Sequence, residues 1–322
     1  MLNKRLKLLF NSFNTLSKLI DKNINLKSLF TLLSLSFLSY SVLINFDKLI
    51  KTELNESIII YLTLSLIVSS LSLFLNALAW NYLMIWLGFD IDNLKIVPLY
   101  LDTNLLKYLP GGIWHFIERY RSLKIYIGSV KALIAVVLEP FLMLSSALFL
   151  VPFSHLNNLF YFIFFFPSAL LFRELHTALI VQLVSFKFHQ FKKLDNKLSL
   201  GEESLSLIRP QAIYPIKAFL IEVGFVLLRF IGFWLCLHAF SLSNQIHFIE
   251  CLSLFSLSWV IGLVVPSAPG GVGIFESSIL LFSGNSLPNE LTLLTLISYR
   301  LIVSLADIIA SIFIRSNNLK FS

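Results

Sequence analysis

The sequence predicts an all-α fold: a polytopic membrane helical bundle with two re-entrant Pro-Gly-Gly hairpins, placed so that they would form an inverted repeat. Three observations predict it. Of 322 residues, 57% are hydrophobic and 13% charged, with a mean hydropathy of +0.82, whereas a soluble domain carries about 25% charged residues. Apolar stretches recur at the ~20-residue length that a bilayer core demands of a helix. Two phrases rich in proline and paired glycines interrupt this apolar sequence, and such breaks are tolerated in a membrane only where protein or a water-lined cavity satisfies the freed peptide groups. The spans leave little length for a soluble domain. The net charge of +7 is therefore no sign of a nucleic-acid partner. Cys236 and Cys251 lie in or beside apolar sequence, in no metal-ligand spacing. They read as packing residues, and neither a metal nor a cofactor is expected.

Residues 1–27 carry Lys4, Arg5, Lys7, Lys18, Lys22 and Lys27 against Asp21, with Leu6, Phe10, Phe13, Leu16 and Ile20 at helical spacing. This reads as a basic amphipathic helix on an anionic lipid surface, or as a solvated leader. Residues 28–314 form one transmembrane bundle domain. Its first span is Ser28 to Phe46. The second is Ser57 to Ala79, with a continuation to Leu87 in which Trp80, Tyr82 and Trp86 would be interfacial aromatics. The third is Ser129 to Val151, containing Glu139-Pro140. Asn158 to Phe186 is too long for one upright span and reads as a tilted helix kinked near Pro167. Residues 187–217 are a polar, basic loop. Ala218 to Phe240, Phe248 to Val265 and Leu291 to Ile314 follow, and 315–322 are a short tail.

Lysine and arginine fall almost entirely on one side of this layout: the leader, residues 81–128, the loop 187–217 and the tail. The opposite side holds only Lys48 and Lys51. By the positive-inside rule both termini are cytoplasmic, in the inner (cytoplasmic) membrane. The helix from Phe248 then enters from outside, and Leu291 must also start outside, so Phe248 to Phe282 should go in and come back out. Its tip would be Pro266 to Gly273. The segment Leu99 to Tyr120 begins and ends inside, in apolar pieces too short to cross, and would be the matching hairpin from the other face.

The two tips share a phrase. Pro110, Gly111, Gly112 and Phe116 align with Pro269, Gly270, Gly271 and Phe275, about half the chain apart, and Glu118 and Glu276 follow with an offset of one. Opposed hairpins in corresponding halves are how many transporters build a site at the bilayer midplane. Helices beginning at Ile113 and Ile274 would aim free N–H groups and positive dipole ends into the gap. With Lys107, Arg119, Arg121 and Arg300 these suit an anionic head group. Trp114 and His115 would line its polar end, although such a histidine is often only an interfacial polar residue.

Charged residues inside spans mark function by default. Glu222 and Arg229 share a helix face, as do Arg300 and Asp307, being seven residues apart; Glu139 and Glu276 stand alone in sequence. The plainer alternative is that these charges neutralise one another and fix helix register.

At these residues the chain resembles the lysylphosphatidylglycerol synthase transmembrane (flippase-like) family, which includes the membrane domain of bacterial multiple peptide resistance factors. The resemblance rests on KYLPGGIWHFIERYR at Lys107 to Arg121, on PSAPGGVGIFES at Pro266 to Ser277, and on Tyr299-Arg300 in the next helix. In the second motif Pro266, Pro269, Gly270, Gly271, Gly273 and Glu276 all match. The resemblance implies a lipid-translocating bundle. No counterpart of the soluble aminoacyltransferase domain is expected here, so aminoacyl transfer from tRNA is not.

Three functions remain open at this stage. The first is a flippase for an anionic phospholipid or polyprenyl-linked intermediate, with membrane lipids as its partners. Its substrate would meet Lys107, Pro110, Gly111, Gly112, Trp114, His115, Arg121, Pro266, Pro269, Gly270, Gly271, Gly273, Glu276 and Arg300, with Glu222, Arg229 and Asp307 as intramembrane charge pairs. The second is a non-catalytic subunit that docks a separate glycosyltransferase or lipid synthase through residues 187–217. The third is an integral membrane enzyme using Glu276, Glu139 and His115 as acid and base. Against the third, the sequence has no nucleophile motif, no metal set and no closely spaced carboxylate pair.

Overall fold

The computed structural model describes residues 55–89, 95–108, 113–151, 171, 212–265, 273–284 and 287–316. Among them every regular element is helical. We number the α-helices α1 Glu56–Trp86, α2 Ile96–Thr103, α3 Trp114–Ile127, α4 Ser129–Phe149, α5 Ile216–Ala239, α6 Phe248–Val264, α7 Ile274–Phe282 and α8 Asn289–Ser316; a 3-10 turn, Asn104–Tyr108, follows α2. Four of these, α1, α4, α5 and α8, are long and apolar enough to cross a membrane, as an integral membrane protein requires. The sequence places α1, α4, α5, α6 and α8 within a few residues of their ends. The expected leader, the spans 28–46 and 158–186, and most of the loop and tail lie outside the described residues.

The burial pattern is that of a protein whose solvent is hydrocarbon. On α1 the large side chains Ile59, Ile60, Ile67 and Leu71 are exposed, while Ser65, Ser69, Ser72 and Asn76 are buried. Those four polar positions recur at helical spacing and form one stripe. The stripe packs on α5: Ser65 Oγ donates to the Gly232 carbonyl at 2.7 Å, and a Cβ on Gly232 would lie 2.7 Å from Ser69 Oγ. Small residues let the two backbones approach, which is how helices associate without a hydrophobic drive between them. Near the other end of the pair, Trp86 Nε1 donates to the Ala212 carbonyl at 2.9 Å, so α1 and α5 run antiparallel. Trp80 and Trp86 thus pack inside the bundle. Trp80 Nε1 donates to the Ala135 carbonyl of α4 at 3.0 Å, and with their indole N–H groups satisfied both rings are buried. Tyr82, partly exposed, faces outward.

Two pairs of neighbouring helices pack against one another. Arg119 Nε donates to Thr103 Oγ1 at 3.1 Å and its Nη2 reaches the Tyr100 carbonyl at 3.4 Å, so α3 packs against α2. The end of α6 meets the start of α7, where Gly262 abuts Phe275. Four rings from four helices fix this second contact: Phe233 of α5, Phe255 of α6, Phe275 of α7 and Tyr299 of α8. Their centroids lie 5.5 to 6.3 Å apart, mostly edge to face, and such pairs add about 0.5 to 1.5 kcal/mol beyond their buried area.

Candidate functional site

Helix α8 is the spine of the site. Its Asp307 is fully buried and takes donors from the residues just ahead of the first Pro-Gly-Gly phrase. Asn104 Nδ2 donates to Oδ1 at 2.8 Å, Tyr108 OH to Oδ2 at 2.5 Å, and Lys107 Nζ lies 2.7 Å from Oδ2. Lys107 and Tyr108 lie three and four residues after Asn104, so a single turn presents all three to one carboxylate. From α5, Arg229 Nη2 stands 3.8 Å from Asp307 Oδ1. The cluster thus holds two cations and one anion. Among the described residues no hydrogen-bond partner reaches Arg229 Nη1, although the residue is only 4% exposed.

Two turns back on α8, Arg300 ion-pairs with Glu276 of α7 through Nε and Oε1. The other oxygen, Glu276 Oε2, accepts the Gly273 N–H at 2.7 Å. Gly273 closes the second Pro-Gly-Gly phrase with φ of 91°, a conformation that an L side chain rarely adopts. A carboxylate at the third position of a helix that returns to its N-cap N–H satisfies one of the free donors there. Tyr299 OH, beside Arg300, donates to the Arg229 carbonyl at 3.1 Å, which ties the two clusters together through α5.

A third cluster lies under α3. Arg119, fully buried, meets Glu139 of α4 with Nη1 at 2.5 Å from Oε2 and 2.6 Å from Oε1. Tyr100 OH donates to Glu139 Oε1 at 2.8 Å. The guanidinium also lies 3.7 Å from the Tyr100 ring centroid and 5.3 Å from that of Trp80. Its charge is fully committed, so this arginine is a structural counter-ion and not a cation held ready for a head group.

The expected site residues divide accordingly. Lys107, Gly273, Glu276 and Arg300 gather along α8, with Asp307 and Arg229. Pro110, Gly111, Gly112, Pro266, Pro269, Gly270 and Gly271 lie outside the described residues. Trp114 and Arg121 sit on the exposed face of α3, where Arg121 Nη1 is 3.9 Å from Glu118 Oε2, and His115 is half-buried beside Phe116. Arg229 faces Asp307 and not Glu222. Glu222 is 1% exposed, and among the described residues no hydrogen-bond partner reaches its Oε1. Sequence reasoning missed Asn104, Tyr108 and Tyr100. The spacing of Asn104 and Tyr108 about Lys107 was the available signal; Tyr100 offered none. Among the described residues there is no group of at least three His, Cys, Asp or Glu side chains that could hold a metal ion. Comparison with protein-family models, curated proteins and solved structures finds no match to this chain.

Proposed function

We propose that this chain is a flippase-like protein of the cytoplasmic (inner) membrane, translocating an anionic phospholipid or polyprenyl-linked intermediate through a site between two re-entrant hairpins. The observation that carries the reading is the charge count along α8. Glu276 and Asp307 face Arg300, Lys107 and Arg229, which leaves one positive charge in excess and one buried guanidinium nitrogen unused. An isolated buried cation is expensive, and a phosphate oxygen is the kind of partner a guanidinium takes best.

The depth of the two motif flanks supports the re-entrant geometry. Arg300 lies about 16 Å along α8 from Asn289, and Asp307 about 13 Å from Ser316, at 1.5 Å per residue. Both flanks therefore attach near the middle of a spanning helix. Helix α7, with nine residues, is about 13 Å long and cannot cross a core of about 30 Å. Lys107 and Arg300 keep 22% and 27% of their side chains exposed, so each is paired yet reachable. A head-group phosphate would enter by exchange, taking Arg300 or Lys107 from its carboxylate so that the cation is never left unpaired. The freed Glu276 keeps the Gly273 N–H and would take a cationic group of the cargo or a proton.

The test is lipid scrambling by purified protein in liposomes with labelled phosphatidylglycerol and a polyprenyl-phosphate analogue. Lys107→Ala and Arg300→Ala are expected to cut movement of one of these lipids at least about tenfold, the loss of one charged contact of ~1.4 kcal/mol or more. Movement unchanged in both variants, with both folded, would sink the reading. No movement by the wild type would shift weight to the subunit that supports a separate lipid- or sugar-transferring enzyme.

A further inference from the structure

We infer that Glu222 and Asn76 form a binding site for a small monovalent cation, a proton or a sodium ion, in the core of the bundle. The inference rests on the transport reading only for what the cation is used for. Its ground is a pair of orphaned acceptors. Glu222 is 1% exposed and Asn76 4% exposed, and among the described residues no hydrogen-bond partner reaches Glu222 Oε1 or Asn76 Oδ1. A buried acceptor without a donor is destabilising by about 1 to 3 kcal/mol, and an isolated carboxylate by more.

The helix register brings the two to one level. In the antiparallel α1–α5 pair, Ser65 meets Gly232, Leu75 lies against Gly224, and Trp86 meets Ala212. That sequence of contacts sets Asn76 opposite Glu222. Asn76 continues the stripe of Ser65, Ser69 and Ser72 that faces α5, and Glu222 lies on the same flank of α5 as Arg229 and Cys236, by the helical period. Among the described residues Glu222 has no ion-pair partner. Helix α1 has no charged residue after Glu56. On α4 the near group is Glu139, whose charge reaches Glu222, and the Tyr100 phenol of α2 feels both carboxylates. Glu139 is itself taken by Arg119, Arg229 by Asp307, and Arg300 by Glu276. A carboxylate oxygen and an amide oxygen with no donor are suited to a hard monovalent cation, or to a proton on the carboxyl that the amide accepts.

The consequence for transport follows from charge. With Glu222 ionised, its charge offsets the excess positive charge beside Asp307. A cation bound at Glu222 removes that offset and leaves the bundle one positive charge in excess, which favours entry of one anionic head group. Cation and lipid would then bind together.

The test does not require transport. Purified protein is treated with dicyclohexylcarbodiimide, which adds to protonated carboxyls in apolar surroundings, and the adduct is located by mass spectrometry. Sodium-22 binding is measured in parallel on wild type, Glu222→Gln and Asn76→Ala. The adduct is expected at Glu222, at least about tenfold more than at Glu139, Glu276 or Asp307, whose carboxylates are ion-paired. Protection of Glu222 by sodium, with binding lost in Glu222→Gln and weakened in Asn76→Ala, would identify sodium as the cation. Labelling indifferent to sodium would identify the proton. An unlabelled Glu222 at every pH, with sodium binding equal in wild type and Glu222→Gln, would overturn the inference whether or not the protein moves lipid.

Discussion

Asp307→Asn is the most informative single change, because it removes one charge and almost no volume. The wild-type carboxylate is fully buried and serves Asn104, Tyr108, Lys107 and Arg229 at 2.8, 2.5, 2.7 and 3.8 Å. An amide there has one acceptor oxygen and turns an NH2 toward the remaining donors. Lys107, 22% exposed, can swing toward water, but Arg229 at 4% cannot. Breaking a buried pair at one partner costs about 3 to 5 kcal/mol. Hydrogen bonds to a charged acceptor contribute about 1.5 to 3 kcal/mol, and in one network the two losses overlap. We expect a loss of about 4 kcal/mol, dominated by the stranded Arg229. Arg229→Met added to Asp307→Asn removes that stranded charge and should return about half of the loss. Denaturant unfolding of purified protein in mixed micelles, followed by the buried tryptophans, measures both. A loss below about 1 kcal/mol for Asp307→Asn would show that water already reaches the cluster. A double variant less stable than the single would refute the stranded-charge account.

Other substitutions test the remaining contacts. Glu139→Gln strands the fully buried Arg119 and should be destabilising by about 3 to 5 kcal/mol, while Tyr100→Phe, which leaves the ion pair whole, should cost about 1 to 2 kcal/mol in the same unfolding assay. Gly232→Ala places a methyl 2.7 Å from Ser69 Oγ and should destabilise by about 1 to 3 kcal/mol. Ser69→Ala in that background removes the clashing atom and should restore most of it. Gly273→Ala forces an L residue to φ of 91°, a strain of about 1 to 3 kcal/mol. Because that strain falls at the start of α7, lipid movement should drop even where thermal unfolding shows the bundle intact.

The spans were legible because a bilayer imposes their length and composition, and α4, α5, α6 and α8 end within about three residues of where hydropathy puts them. Helix α1 runs on past Ala79 for a reason hydropathy does not encode: Trp80 finds a backbone carbonyl on α4 and Trp86 one at Ala212, just ahead of α5, so both extend the packed bundle. The charges in spans were legible as candidates, but their partners were not. Periodicity says which residues share a face of one helix and nothing about which helix that face meets. Glu222 and Arg229 share a face, yet they do not pair with each other: Arg229 reaches across to Asp307 on α8. Glu139 stands alone in sequence and finds Arg119 on α3, whose side chain also reaches Thr103 on α2.

The placement of Arg300 and Asp307 on one helix also constrains how the site could work. They are seven residues apart, about 10 Å along one face, and each grips the flank of a different Pro-Gly-Gly phrase. An anion that takes Arg300 from Glu276 loosens the second phrase; one that takes Lys107 from Asp307 loosens the first. Neither exchange leaves a buried cation bare, so each avoids the penalty of several kcal/mol for breaking such a pair outright. Releasing both at once would leave one of the two cations without an anion when a single charge enters, which is unfavourable in a low-dielectric core. The two flanks are therefore expected to open in turn and not together, as alternating access requires of a site reached from opposite faces. The third cluster cannot take part in such an exchange. Arg119 is fully buried with its charge committed to Glu139, so on the proposed mechanism α3 and α4 are expected to stay fixed.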